Sequence, residues 1–204
     1  MGTAAPITFA QIEPVGQCNL RCQMCPVQFR PTGRPHEPLG WRLGPGQFRA
    51  AGRSGGAVAF VPVPEFGRVL GQMPALKTLH LQGMGEPLMH PEFFRMVEYA
   101  SARGVQVSTN TNLTLLSARR ARLCVQSGLH ELHVSIDAAT PEMYERIRAG
   151  ARFTRVRRHL ETLMQARREL ASTYPRVRIV MVLMRQNLAE LSGIVRLAHE
   201  QGVA

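Results

Sequence analysis

The stretch Leu129–Ala138, LHELHVSIDA, decides the fold. In its second half Leu132, Val134 and Ile136 alternate with His133, Ser135 and Asp137. Side chains alternate faces along a strand, so this pattern predicts a strand with one apolar and one polar face. The same period recurs upstream. In LKTLHLQG (76–83), Leu79 and Leu81 alternate with His80 and Gln82; in VQVSTN (105–110), Val105 and Val107 alternate with Gln106, Ser108 and Asn110. Two further strands are expected in ITFAQIEPV (7–15) and RVRIVMVLM (176–184).

Between these strands lie helical patterns. They are VPEFGRVLGQM (63–73), HPEFFRMVEYASARG (90–104), SARRARLCVQSG (117–128) and NLAELSGIVRLAHEQG (187–202). TPEMYERI (140–147), running into FTRVRRHLETLMQARRELAS (153–172), reads as one long helical stretch. Ser117, Thr140 and Asn187 are the expected N-caps, and Gly104, Gly128 and Gly202 the expected stops. Strand followed by helix, five times over, implies parallel strands with helices packed outside, as a barrel or an open sheet. Strands of a doubly wound sheet or a filled barrel are apolar on both faces. Here the helices should cover the leucines and valines, leaving His, Gln, Ser and Asp to line an interior that is wet or holds a ligand. A water-facing antiparallel sheet would show the same alternation, but the intervening helices argue against it.

Composition narrows the setting. The chain has 204 residues, 45% of them hydrophobic, and a formal net charge of +11. That length predicts a single domain over 1–204. No run of 18 apolar residues is present and the N-terminus lacks a basic region ahead of an apolar block, so neither a membrane span nor a secretory signal is expected. The positive charge is arginine; Lys77 is the only lysine. Clusters at Arg119–Arg120–Arg122, Arg155–Arg157–Arg158 and Arg167–Arg168 carry no interleaved aromatic residues, which favours solvated helix faces over a nucleic-acid surface. Residues 30–62 are dense in Gly, Pro and Arg, show no sustained period, and are expected to form a long loop that buries little.

The segment QCNLRCQMC (17–25) holds three of the four cysteines. Three thiols in one loop with Cys124 remote do not make a disulfide scaffold, and a reducing cytoplasm is the expected location. Thiolates bind zinc or iron–sulfur clusters. Zinc would take four ligands, for example Cys18, Cys22, Cys25 and His36, although no second C-x₂-C or His pair follows at zinc-finger spacing. A [4Fe–4S] cube would take three cysteines and leave one iron for a ligand that is not protein.

Cys18-x₃-Cys22-x₂-Cys25 after a first strand resembles the signature of the radical S-adenosylmethionine (radical SAM) superfamily. Three further stretches fall at successive strand ends where that family has cofactor-binding segments. GMGEPLMHP (83–91) resembles its Gly–Gly–Glu–Pro segment, which implies contacts from Gly83, Gly85 and Glu86, largely through backbone, to the methionine amino group. A side chain at Gly85 is expected to crowd that contact while sparing the cluster. STNTNL (108–113) resembles a Thr–Asn segment, implying Thr109, Asn110 and Asn112. VSIDAATPEMYERIRAG (134–150) resembles the segment whose Ser and Asp approach the ribose and methionyl part, implying Ser135 and Asp137, with Arg148 matching an arginine that some members place on the cofactor carboxylate. Met24 stands where the family often has an aromatic residue near the adenine.

The resemblance implies Cys18, Cys22 and Cys25 as cluster ligands, with S-adenosylmethionine as cofactor. It implies reductive cleavage to a 5′-deoxyadenosyl radical that abstracts hydrogen from a substrate. The motifs are closest to peptide-modifying and cofactor-building members of the SPASM type. A flavodoxin- or ferredoxin-like electron donor is implied as a partner, and the substrate is left open, with a peptide or cofactor precursor favoured. The family core has six βα units and five are visible, so the domain is expected to be a partial (β/α)₆ TIM-like barrel, incomplete at its C-terminus. No auxiliary-cluster cysteines are seen, and Cys124, between Leu123 and Val125, is expected in the core. Glu13, His80, Gln82 and His133 are interior residues for which a structural role is expected. Two other readings stay open here: a zinc-binding module using its arginines on nucleic acid, and an inactive radical SAM fragment.

Overall fold

The computed structural model describes residues 5–25 and 60–203. Among these, the strands in chain order are β1 (Phe9–Ile12), β2 (Arg21–Cys22), β3 (Thr78–Leu81), β4 (Gln106–Thr111), β5 (Leu129–Ser135), β6 (Arg148–Ala149) and β7 (Arg176–Val180). The helices are α1 (Val63–Gly71), α2 (Phe93–Ser101), α3 (Ala118–Gln126), α4 (Pro141–Ile147), α5 (Phe153–Glu169) and α6 (Leu191–Glu200). Five strands form one sheet in the order β1-β3-β4-β5-β7, every neighbouring pair parallel. Helices occupy the connections between them, so the five strand–helix units expected from the alternation are present.

The two faces of the sheet separate as the alternation requires. Leu79, Leu81, Val107, Leu132 and Val134 are wholly buried. They share one core with Phe66 and Leu70 of α1, Phe93 and Met96 of α2, Cys124 of α3 and Val156 and Leu160 of α5. Cys124 is thus a core residue, as expected. On the other face His80, Ser108, Asn110, His133 and Ser135 are half-buried. Burying the leucines and valines contributes roughly 1.5–3 kcal/mol each, which fixes the register because a one-residue slip would exchange the faces.

Four expectations change. The long helical stretch over 140–172 is two helices, broken at Arg148–Arg152. β6 lies in the break and pairs with β2, in the cysteine loop, and Gly150 supplies the left-handed backbone (φ 96°) that turns the chain back into α5. Asn187 does not cap α6. Its side chain is buried and donates to the carbonyls of Asp137 (2.8 Å) and Val182 (3.0 Å), while α6 begins after Glu190. Thr140 stands at the N-cap of α4, but its hydroxyl donates to Glu190 rather than capping. β1 is shorter than 7–15; the chain leaves the sheet after Ile12, and Val15 bridges to Phe60. Ser117 does cap α3, accepting from Arg120 N. The expected loop at 30–62 lies outside the described residues apart from 60–62, and His36 lies outside them altogether.

The arginines of α3 and α5 lie mainly at the surface, several beside carboxylates. Arg122 meets Glu169 at 3.0 Å and Arg157 meets Glu161 at 3.7 Å. Among the described residues no helix is long and apolar enough to cross a membrane.

Candidate functional site

The cysteine loop is hung on the C-terminal ends of the strands by backbone. Glu86 N donates to Gln17 O at 2.8 Å, joining the segment after β3 to the residue before Cys18. Gly85 lies so close beneath this segment that a Cβ there would stand 1.8 Å from Val15 O and 2.6 Å from Gln17 O. The glycine is therefore demanded by backbone packing under the cysteine loop. This corrects the expectation that a side chain at Gly85 would crowd the cofactor alone. Gly83 faces Glu13, whose Cδ would lie 2.2 Å from an added Cβ. The Glu13 carboxylate accepts from Met84 N (2.6 Å) and Gly85 N (3.1 Å), so it holds the glycine loop from the β1 side.

The middle of the loop is tied to the end of β4. Asn19 Nδ2 donates to Thr114 Oγ1 at 2.8 Å, and Asn112 Nδ2 donates to Asn19 Oδ1 at 2.9 Å and to Cys18 Sγ at 3.8 Å. Leu20 N donates to the same sulfur at 3.5 Å. Further on, β2 pairs antiparallel with β6, setting Cys22 opposite Arg148, and Gln23 N donates to Ile147 O. Cys25 N closes a turn onto Cys22 O at 3.0 Å. Met24 is half-buried and packs on the core. Nothing in the residue pattern marks Asn19 as a tie, whereas Gly150 inside IRAGAR was a legible signal for the chain break at β6.

Three buried ionisable groups, Glu86, Asp137 and Arg148, brace this frame. The Glu86 carboxylate takes three protein donors: Leu88 N (3.2 Å), Thr111 Oγ1 (2.6 Å) and Asn112 N (2.8 Å). Burial pushes its pKa above the usual carboxylate range, against the pull of those donors. Asp137, wholly buried, accepts from Val182 N (2.8 Å) and pairs with Arg148 Nε at 2.6 Å. Arg148 Nη1 lies 3.8 Å from Cys22 Sγ. The Tyr144 hydroxyl, also buried, has no hydrogen-bond partner among the described residues, and burial raises its pKa.

The sulfurs differ accordingly. Burial and then the Glu86 charge push the Cys18 thiol up to about 12. Burial also raises Cys22, but the Arg148 cation opposes it. Donors aimed at two of the three sulfurs suit thiolates bound to a cationic group better than free thiols. Among the described residues no three His, Cys, Asp or Glu side chains converge where one metal ion could be held.

Thr109 departs from expectation. It lies on the helix-facing side of β4, wholly buried, and its hydroxyl donates to Leu81 O at 2.6 Å. The alternation that sends Ser108 and Asn110 inward sends Thr109 outward. The inward row is polar and mutually bonded. His80 Nδ1 meets Ser108 Oγ at 2.8 Å, and His133 meets Asn110 Oδ1 at 2.8 Å and Glu131 Oε2 at 3.2 Å. Arg178 extends the row through Glu131 at 3.1 Å.

Comparison with known proteins agrees with this geometry. The family model described as Radical SAM superfamily matches residues 12–198. Mycofactocin maturase MftC of Mycobacterium tuberculosis is 31% identical over 120 residues, covering 59% of this chain and 29% of that protein. The tungsten-containing aldehyde ferredoxin oxidoreductase cofactor-modifying protein of Pyrococcus furiosus is 24% identical over 200 residues, 96% of this chain and 49% of that protein. The chain thus spans less than half the length of these curated relatives. Streptococcus suis SuiB, in structures bound to S-adenosylmethionine and to the precursor peptide SuiA, superposes with a TM-score of 0.70 in both. Identity is 16% and 14%, over 97% of this chain and 39% and 38% of those chains.

Proposed function

The chain belongs to the radical SAM superfamily, and on that premise we propose that it forms the catalytic core of an enzyme in which Cys18, Cys22 and Cys25 each hold one iron of a [4Fe–4S] cluster. Family membership implies this cluster together with S-adenosylmethionine. The observation that carries the assignment is the donor set. Three cysteines share one loop at the strand ends, and protein N–H groups stand 3.5–3.8 Å from the sulfurs of Cys18 and Cys22. Bound by Cys18, Cys22 and Cys25, the cluster would supply the electron for reductive cleavage of S-adenosylmethionine and so the radical chemistry of the family.

This chain's residues bind, orient and exclude water. The backbone of Gly83 to Glu86 borders the cofactor's amino group, with Glu13 fixing that loop from below. Asn110 and Ser135, on the inward face, and Met24, on the loop, would contact the nucleoside. Glu86, Asn112 and Asp137 act mainly by holding the loop, because their side-chain groups are already engaged by protein donors, acceptors or ions. The inward row of His80, Ser108, Asn110 and His133 forms the polar wall nearest the substrate. A peptide or cofactor precursor is the favoured substrate. The precursor-peptide complex of SuiB and the cofactor-modifying Pyrococcus relative support that reading. A flavodoxin- or ferredoxin-like protein is the proposed electron source, and the cytoplasm the proposed location.

Anaerobic reconstitution with iron and sulfide tests the assignment. About four irons per chain with brown colour are expected, followed by 5′-deoxyadenosine when dithionite and S-adenosylmethionine are added. A colourless protein holding stoichiometric zinc and no iron would refute it.

A further inference from the structure

We infer that Arg148 serves the cluster rather than the cofactor: it is a positioning residue that holds Cys22 and raises the reduction potential of the group bound there. The inference rests on the cluster assignment above. Three observations carry it. The backbone of β6 pairs Arg148 directly with Cys22 of β2. The guanidinium turns inward, its side chain 9% exposed, with Nη1 3.8 Å from Cys22 Sγ. Its Nε lies 2.6 Å from the carboxylate of the wholly buried Asp137, an ion pair that keeps the guanidinium beside the sulfur.

The sign follows from electrostatics. An iron–sulfur cluster gains a negative charge when it takes up one electron from a low-potential donor. No bond forms or breaks at Arg148 and no proton moves there. A cation and an N–H donor at a ligand sulfur favour the reduced state, and burial leaves that effect poorly screened. Asp137 offsets part of the charge, but it stands behind the guanidinium while Nη1 is the group nearest the sulfur. With Nε on Asp137 and Nη1 on Cys22, any contact to the cofactor carboxylate would fall to Nη2 alone.

The experiment is an EPR-monitored redox titration of the reconstituted full chain, with S-adenosylmethionine affinity measured by calorimetry on the oxidised protein. Arg148→Met alone leaves Asp137 buried without its counter-charge and can fail to fold. Arg148→Met combined with Asp137→Asn removes both charges and keeps an acceptor for Val182 N. In this double variant the reduced-to-oxidised ratio at fixed ambient potential is expected to fall about tenfold, equivalent to about 59 mV for a one-electron couple. Cofactor affinity should stay within about threefold of the parent. Asp137→Asn alone leaves the cation uncompensated and should shift the ratio the other way. An unchanged potential in the double variant overturns the inference, and so does a large loss of affinity with no shift in potential. If the parent chain itself assembles no cluster, the site assignment fails instead, and the two failures are distinct.

Discussion

Cys18 and Cys22 share one loop, yet their surroundings carry opposite charge. Cys18 sits over the ends of β3 and β4, where Glu86 is buried and donors come from neutral amides. Cys22 sits against β6, where Arg148 supplies a cation backed by Asp137. The two halves are also tied differently. The Cys18 half hangs by backbone and amide contacts to the 83–86 and 112–114 segments, the Cys22 half by a two-residue β-pair. The lesson is that equivalent ligands in a motif need not be equivalent in a fold. Burial raises both thiols, but the Glu86 charge adds to the rise at Cys18 while the Arg148 cation opposes it at Cys22.

The most disruptive way to break this comparison is to move both halves together. Gly85→Val forces a side chain into Val15 O and Gln17 O, both backbone atoms that cannot rotate away. The expected cost is about 3 kcal/mol or more, with loss of iron loading as well as cofactor binding. Thermal melts and iron assays on the purified variant check this. A variant that keeps full iron loading and loses only cofactor affinity would restore the simpler role for this glycine.

Removing one sulfur at a time is the next step down. Cys18→Ala and Cys22→Ala should each abolish stable iron loading despite their different surroundings. Cys124→Ala, in the core, should load iron normally and lose about 1 kcal/mol from its small cavity. Full iron content in Cys22→Ala would place the ligands elsewhere.

The electrostatic contrast itself can be read by alkylating metal-free protein. Cys18 is only half-buried, so reagent can reach it, but its pKa near 12 leaves roughly one part in 10⁴ as thiolate at pH 8. Its alkylation should be slow and should quicken steadily as pH rises. The sign for stability is the same. A thiol with a folded pKa above its ordinary value favours the fold fully at pH below that ordinary value, and this contribution is lost as pH rises toward about 12. Peptide mass spectrometry after timed iodoacetamide exposure gives the rates. Fast modification of Cys18 at pH 8 would remove the contrast.

How much of this was legible in the chain depends on what sets each feature. The five strands and their two faces follow from burial, which writes a period of two into Leu79, Leu81, Val107, Leu132 and Val134. The order of the motif segments was legible because strand ends are local. The ties were not. That Asn187 would leave its capping role to bind the Asp137 and Val182 carbonyls depends on its side chain meeting a backbone carbonyl 50 residues away, at Asp137. The same holds for Arg148, which reads as the end of a helix until its pairing with Cys22 is seen. Thr109 has a simpler reason: the Thr–Asn resemblance pairs it with Asn110, although the alternation along β4 puts its side chain with Val107.

The two buried threonines of β4 allow the finest test of how the Cys18 half is braced. Thr109 and Thr111 are both buried hydroxyls on the helix-facing side of β4. Thr109 donates to backbone carbonyls only, Leu81 O at 2.6 Å and Asn110 O at 3.5 Å, whereas Thr111 donates to Glu86 Oε1 at 2.6 Å and accepts from Leu113 N at 2.9 Å. Replacing either with Val keeps the shape and removes the hydroxyl. Thr109→Val should cost about 1 kcal/mol, one net hydrogen bond, and leave the cysteine loop untouched. Thr111→Val should cost up to about 3 kcal/mol, because it strips a donor from a buried carboxylate and an acceptor from a buried amide. Glu86, less supported as an anion, would then hold its proton more readily and repel the Cys18 thiolate less. Cys18 should therefore alkylate faster in Thr111→Val and at the parent rate in Thr109→Val. Equal acceleration in both would mean that the brace runs through the β4 backbone as a whole rather than through the Glu86 carboxylate.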